Sequence, residues 1–510
     1  MNKNEARGYP FPIKTVLTAI SICLQLILLI LPPLFFSESA IWFYTACQVL
    51  AVCFVVYIIN YPGNPSYKIT WITFILILPV MGVVVFLLFG GGRVFPHLKR
   101  RMKNCEDKYM KFLSSEEKTE ERLKYCDMFH SRQAHYLTEE TGFPVYSGTK
   151  TKYLDSGEAF FEALLTELNM AKKYIYIEFF ILADGIMWKK IYNILSKKAE
   201  AGVDIRIIFD DFGSIGRQPK GFVSNLKKDG IKVSVFNPLR PSVDIFMNNR
   251  NHRKIIVIDG HTAFTGGINI GDEYINEWNR FGHWLDTGIM IRGKATQSFL
   301  AMFCAMWEFT TGEEIDIKSR LSRDITPDDG FVLPYCDGPL NDKNPASGIY
   351  MQIINNSQRY VYIASPYLIL DNNMVNVLTL ASKSGIDVRI VVPHNPDKWY
   401  VHPVTQYYYD ELLTAGVKIF EYTPGFIHAK VFLSDDIIAT VGTVNMDYRS
   451  FFFHFECGVW MSENSQIQCI KKQFRNIFEQ SEEITLKEWK KRPVLQKIKQ
   501  GVLHLFSPFM

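Results

Sequence analysis

The sequence predicts two α/β domains related by a pseudo-twofold axis and sharing one active site, preceded by an apolar N-terminal region. Three observations predict this. First, the pattern His-x-Lys-x4-Asp occurs twice, from His252 through Lys254 to Asp259 and from His428 through Lys430 to Asp435. Each copy is followed, 17 residues after its His, by an Asn: Asn269 and Asn445. Second, the flanking segments repeat in one order. Tyr174-Ile-Tyr-Ile pairs with Tyr360-Val-Tyr-Ile, Gly202-Val-Asp-Ile-Arg with Gly385-Ile-Asp-Val-Arg, and Gly230-Ile-Lys-Val with Gly416-Val-Lys-Ile. Thr265-Gly-Gly-Ile-Asn269 likewise pairs with Val441-Gly-Thr-Val-Asn445. Third, helical stretches near 186–201, 217–229, 373–384 and 404–415 alternate with the strands, which favours largely parallel or mixed sheets.

Each element follows from its residues. The apolar filler of the two motifs, Ile255 to Ile258 and Val431 to Leu433, reads as buried strand. On a strand alternate side chains share a face, so each His points with the Lys two positions on. An imidazole that can attack or carry a proton then stands beside an ammonium that can hold an anion. Two such pairs brought together suit a phosphate. The motif Asp lies at an odd offset of seven, on the opposite face, which gives Asp259 and Asp435 a structural role at the strand end.

Residues 1–95 form a membrane region with two or three apolar segments, about 13–36, 40–59 and 69–89, each near the ~20 residues that cross a bilayer. Lys14 is the one charge at their edge. A cleaved signal is disfavoured, because the first run is long and Pro32-Pro33 leads into bulky Leu34-Phe35-Phe36. Lys3, Arg7 and Lys14 precede the first run, and Arg93, Lys99, Arg100, Arg101 and Lys103 follow the third. That heavier cluster puts the domains behind it on the cytoplasmic side. Either the N-terminus is then outside, or one run is interfacial or re-entrant. Residues 96–140 form a charged juxtamembrane connector, 141–320 and 321–485 the two domains, and 486–510 an amphipathic C-terminal segment that lies on the membrane surface or docks as a plain helix.

Composition excludes several classes. A net charge of +4 over 510 residues does not mark a nucleic-acid binder. Nine cysteines without a C-x-x-C pair indicate reduced thiols rather than a disulfide scaffold or zinc site. Asp210-Asp211 resembles a metal pair but falls at a strand end. Tyr407 to Tyr409 read as a packed helix face, Glu178 as a residue reaching the site from a neighbouring strand, and His283, His394, His402 and His454 as structural.

On the paired motifs and matched Asn positions, the chain resembles the phospholipase D superfamily. Within it the chain is similar to bacterial cardiolipin synthases, which add hydrophobic N-terminal segments to two such domains. The resemblance runs from the Pro65-Ser-Tyr-Lys-Ile-Thr-Trp71 stretch through Asn445-Met-Asp-Tyr-Arg-Ser450. It implies a phosphatidyltransferase of the bacterial cell membrane, multi-pass, joining two phosphatidylglycerols into cardiolipin and glycerol through a phosphohistidine. Phosphatidylglycerol, other phospholipids and the bilayer are the implied partners, with no nucleic acid, metal or cofactor expected. By analogy His252 attacks and His428 is the acid/base, although pseudosymmetry leaves that order open. Lys254, Lys430, Asn269 and Asn445 would bind the phosphoryl oxygens. Asp286 and Glu456, 34 and 28 residues beyond His252 and His428, are the candidates for orienting those two rings. Arg449 would buttress the pocket within the Asn-x-Asp-x-Arg-Ser run, while Asp259 and Asp435 stay in the catalytic set only as members of the family motif. The first half departs from that run, reading Asn269-Ile-Gly-Asp272-Glu273, which predicts an asymmetric site. A membrane-anchored hydrolase or nuclease of the same fold is the alternative, and a non-catalytic lipid-binding scaffold is disfavoured because both motifs are intact.

Overall fold

The computed structural model describes residues 37–61, 63–90, 96–113, 117–239, 248–322, 326–340 and 344–510. They fall into two compact units, one comprising residues up to Pro96 with 238–248, the other 97–237 with 249–510. The first apolar run, 13–36, lies outside the described residues.

In the smaller unit, helix α1 (Ser37–Asn60) contains the second apolar run. Helix α2 (Pro65–Ile77) starts on an Asn64 cap, whose side chain accepts from Ser66 N, and Pro65 sits where no N–H is needed. It stops at Leu78 because Pro79, the first residue of α3 (Pro79–Val85), cannot continue the ladder. Gly82 allows α3 to approach α2, since a Cβ there would stand 2.6 Å from Ile75 Cα. Ala51, Ile58, Trp71, Ile75, Val83 and Phe86 close this small core. The third run, expected as one continuous segment over 69–89, is therefore divided. The 13 residues of α2 rise only ~20 Å, against ~30 Å of hydrocarbon. Among the described residues no helix is long and apolar enough to cross a membrane.

The larger unit opens with α4 (Pro96–Met110) and a second helix, Glu117–Cys126, so the expected charged connector is helical. Its first half then alternates strand and helix: β1 (Thr149–Leu154), α5 (Gly157–Met170), β2 (Tyr174–Phe179), α6 (Ile186–Glu200), β3 (Asp204–Asp210), α7 (Phe222–Lys228) and β4 (Lys232–Phe236). Helix α7 is shorter than the expected 217–229. It begins only after Gly221, at φ 75°, a left-handed turn that glycine adopts without strain. The motif segment follows as β5 (Arg250–Asn251), β6 (Ile255–Ile258), β7 (Thr262–Gly266), β8 (His283–Leu285) and β9 (Gly288–Gly293), then α8 (Thr296–Thr311). The sheet runs β1-β9-β7-β6-β2-β3-β4. Strands β2, β3 and β4 are parallel and the remainder antiparallel, a mixed sheet as expected. Helix α8 is apolar nearly all round and buried accordingly.

The second half repeats the plan: β10 (Phe331–Asp337), α9 (Pro345–Asn356), β11 (Tyr360–Ala364), α10 (Asn372–Lys383), β12 (Asp387–Pro393), α11 (His402–Tyr407) and β13 (Lys418–Tyr422). Strands β14 (Gly425–Ile427), β15 (Val431–Ser434), β16 (Ile438–Gly442), β17 (His454–Ser462) and β18 (Ser481–Ile484) complete it, before helix α12 (Val494–His504). Its order, β10-β17-β16-β15-β11-β12-β13-β18, matches the first sheet strand for strand with β18 added.

Two short pairings cross between the halves. β5 lies parallel to the start of β17, and β14 parallel to β8. The backbone N–H of His252 donates to Phe455 O at 2.9 Å and that of His428 to Leu285 O at 2.7 Å. Each motif His thus leaves its own sheet and is pinned to the opposite half.

Candidate active site

The motif aspartates lie away from the rings they follow in sequence. Asp259 and Asp435 take left-handed backbone at φ 51° and 54°, which Asp tolerates in tight turns. The Asp259 carboxylate accepts from Lys172, Lys173 and Tyr174 N at 2.7–2.8 Å, and Asp435 accepts from Gln358, Arg359 and Tyr360 N at 2.7–2.9 Å. Each secures the loop entering the neighbouring strand, β2 or β11, by collecting three otherwise orphaned donors. Their membership of the catalytic set is corrected accordingly: they brace strands.

The carboxylates cross over. His252 Nδ1 donates to Glu456, 2.9 Å from both oxygens, and His428 Nδ1 donates to Asp286 at 2.6 Å. The expected pairing, each carboxylate serving the His of its own half, is therefore corrected. The cross-half pairings of β5 with β17 and β8 with β14 bring each ring to the other half's carboxylate. Holding Nδ1 fixes the tautomer and turns Nε2 to the cavity that both imidazoles line.

The two pairs differ in support. Thr443 Oγ1 donates to Glu456, whereas its repeat counterpart is Gly267. A Cβ at Gly267 would meet Asp286 Oδ1 at 2.1 Å and His428 O at 2.9 Å, so the shorter Asp and the bare Gly fit together. His454 packs 5.3 Å from His252, centroid to centroid. Its Nε2 accepts from Arg449 Nε at 3.2 Å, which puts its proton on Nδ1, 3.6 Å from Glu456 Oε1. This third histidine lacks the His-x-Lys context and escaped sequence reasoning. His252, His454 and Glu456 also offer three ligand-type atoms within 4.8 Å of one another, though ligation there would take the hydrogen bond that orients His252.

Lys254 and Lys430 are buried behind the rings rather than on the cavity wall. Lys254 Nζ donates to His252 O at 2.7 Å, and Lys430 Nζ donates to His428 O. Burial pulls both ammonium pKa values down, to about 8 for Lys254 and about 7 for Lys430. Burial, then the neighbouring lysines, also holds both imidazoles neutral. His252 falls well below its ordinary range and His428 to about 4, despite the opposing pull of Asp286. Asn269 accepts from Ile181 N at 3.1 Å and donates to Tyr274 OH at 2.7 Å, while Asn445 Oδ1 is buried without a hydrogen-bond partner among the described residues. Both line the cavity. Around Asn445, Asp447 caps the turn through Ser450 N at 2.7 Å and Ser450 Oγ accepts from Asn445 N. In the first half Asp272 instead caps α6, accepting from Ile186 and Met187 N. The predicted asymmetry is structural.

The cavity encloses about 550 Å³. Its apolar wall includes Phe180, Phe281 and Trp284, and Arg250, Arg449 and Lys398 add positive charge. A site with two protected nucleophilic rings, flanking cations and a long apolar wall can hold a phosphodiester carrying hydrocarbon. Other candidates keep plain roles. Asp210 accepts from Phe212, Gly213 and Asn251 N, tying β3 to the strand before His252. Glu178, fully buried and pushed by burial to about 7, accepts from Asn251 Nδ2 at 2.8 Å. Tyr409 donates to Glu421, which also accepts from His394.

A family model described as "Cardiolipin synthase, PLD-like domain" matches residues 164–307 and 350–480, one segment in each half. The chain belongs to this cardiolipin synthase family. A second model, "Phospholipase_D-nuclease N-terminal", matches residues 49–91. Among similar relatives, a cardiolipin synthase of Halalkalibacterium halodurans is 33% identical over 92% of this chain and 95% of its own length. An uncharacterised protein of Streptococcus mutans is 38% identical over 89% and 99%. A phosphatidylserine synthase of Haemophilus influenzae superposes with a TM-score of 0.55 at 13% identity, covering 75% of this chain and all of its own, a likeness of fold. The cardiolipin synthase match spans both motifs and places the chain's enzymatic class as phosphatidyl transfer.

Proposed function

We propose that this chain transfers a phosphatidyl group between two phosphatidylglycerol molecules, yielding cardiolipin and glycerol, at a bacterial membrane to which its N-terminal region holds it. The observation that carries the reading is the crossed pair of His–carboxylate contacts facing one apolar-walled cavity. In the first step His252 Nε2 attacks phosphorus. The bond to the glycerol oxygen breaks, and that oxygen takes a proton from His428 Nε2. In the second step His428 takes the proton of an incoming glycerol hydroxyl, whose oxygen displaces His252 from phosphorus. Each buried ammonium donates to its own histidine's carbonyl behind the ring and favours the phosphoryl charge through its field. Arrival of the phosphodiester anion beside His428 raises its proton affinity, which prepares it to act as the acid.

The test supplies the full chain in vesicles with phosphatidylglycerol and follows cardiolipin and free glycerol. Equal amounts of both are expected, with turnover reduced ~10³-fold or more by His252→Ala or His428→Ala. Phosphatidic acid without cardiolipin would make the chain a hydrolase instead.

A further inference from the structure

Helix α12 is turned inside out. Its polar Gln500 is buried, hydrogen-bonded to Arg492 and Gln406, and His504 stacks on Tyr407 of α11 at 3.8 Å. Its apolar residues face solvent: Leu495 is 78% exposed, Ile498 57% and Val502 52%. Their spacing of three and four puts them on one face. A helix packed only for stability would bury that face.

The surroundings indicate what covers it. Lys497 and Lys499 stand either side of Ile498 on the helix, and Lys499 Nζ lies 5.8 Å over the ring of Trp399, itself 71% exposed. A Trp beside lysines on an apolar strip is the composition of a surface seated at headgroup depth. The strip also adjoins the reaction cavity. Beyond α12 the turn Ser507–Phe509 brings Phe509 and Met510 into the cavity wall, where Met510 O accepts from Arg449 N at 3.1 Å. Lys398 and Tyr400, either side of Trp399, line the same cavity.

We propose that the exposed face of α12, with Trp399, docks on a bilayer containing anionic lipid and sets the cavity mouth against the surface from which lipid enters. The reading rests on the proposed lipid substrate. The fitting occupant is an anionic bilayer, because the basic flank complements its charge and its interior accepts the apolar face.

The experiment compares the full chain with Leu495→Asp/Ile498→Asp and the conservative Leu495→Met/Ile498→Leu. Two substrates are used: phosphatidylglycerol in vesicles, and dihexanoyl-phosphatidylglycerol below its micelle concentration. The acidic pair is expected to lose ~10-fold or more in kcat/KM on vesicles and less than about twofold on monomeric lipid, with the conservative pair unchanged on both. Equal loss on both substrates, or none on vesicles, overturns the docking. Amide exchange across 494–506 reads the same contact without turnover, and slowing on adding phosphatidylglycerol vesicles is expected. Slowing that instead follows protein concentration without lipid would assign the face to a second copy and overturn the proposal. A wild-type chain inactive on both substrates yet protected by vesicles would fail the proposed reaction alone.

Discussion

His252 and His428 are each held through Nδ1 by a carboxylate from the other half, and the two contacts give separable predictions. Replacing Glu456 by Gln keeps the volume but lets the amide donate to Nδ1, which reverses the tautomer and turns Nε2–H toward phosphorus. Turnover should fall ~10²- to 10⁴-fold in Glu456→Gln, and similarly in Asp286→Asn. If His252 is the nucleophile, the trapped phosphohistidine vanishes in the first variant, whereas the second still accumulates it from a substrate whose good leaving group needs no acid. Acid-quench labelling with that substrate in radioactive form distinguishes them. The lysines set the pH response. Protonated Lys430 and Lys254 are the binding forms, and their pKa values in the empty site are depressed to about 7 and about 8. As pH rises through that window the free enzyme loses cations, so kcat/KM should decline between pH 7 and 8. A bound phosphate raises both values, so kcat at saturating lipid should decline at higher pH. His428, neutral in the free enzyme down to about 4, must gain its Nε2 proton to act as the acid, so it adds to the fall of kcat/KM with rising pH. A kcat/KM that climbs through pH 8 would exclude this assignment.

At the scale of elements, the strand ends matter as much as the strands. Asp435→Ala would orphan three backbone donors at the mouth of β11, and Asp259→Ala three at β2. Each is expected to cost ~1–3 kcal/mol and lower the apparent Tm, while per-molecule activity of the remaining folded enzyme stays within a few-fold. Scanning calorimetry beside a titrated active-site assay checks both halves of that statement. These elements were largely legible in sequence. Continuous apolar runs marked β2, β6, β11 and β15, and the odd offset of Asp259 and Asp435 turned them from the site. The pairing of Asp286 with His428 was not legible, because sequence distance ranks it behind His252. It depends on β8 and β14, three residues each, too short to announce themselves. His454 and the cations Arg250 and Lys398 lie outside the repeated motifs, so nothing in their spacing flagged them. In the N-terminal unit, hydropathy marked the apolar runs but not the break that Pro79 makes between α2 and α3.

For the whole molecule, duplication produced one site rather than two because each half supplies what the other lacks. The backbone bonds from His252 to Phe455 and from His428 to Leu285, with the two side-chain contacts beside them, all lie in a single seam. The halves also share buried contacts away from the rings: Thr151 with Asn464, Tyr153 with Gln473, and Phe426 within the core of the first half. Parting of the halves on heating would release both rings from both carboxylates together, as one event. Half-times of inactivation should then be shorter than those for loss of far-ultraviolet dichroism at the same temperature. A disulfide or fusion that clasps the halves should lengthen the first without altering the second. Two repeats in one chain thus make a lock whose two wards are each cut on the opposite key.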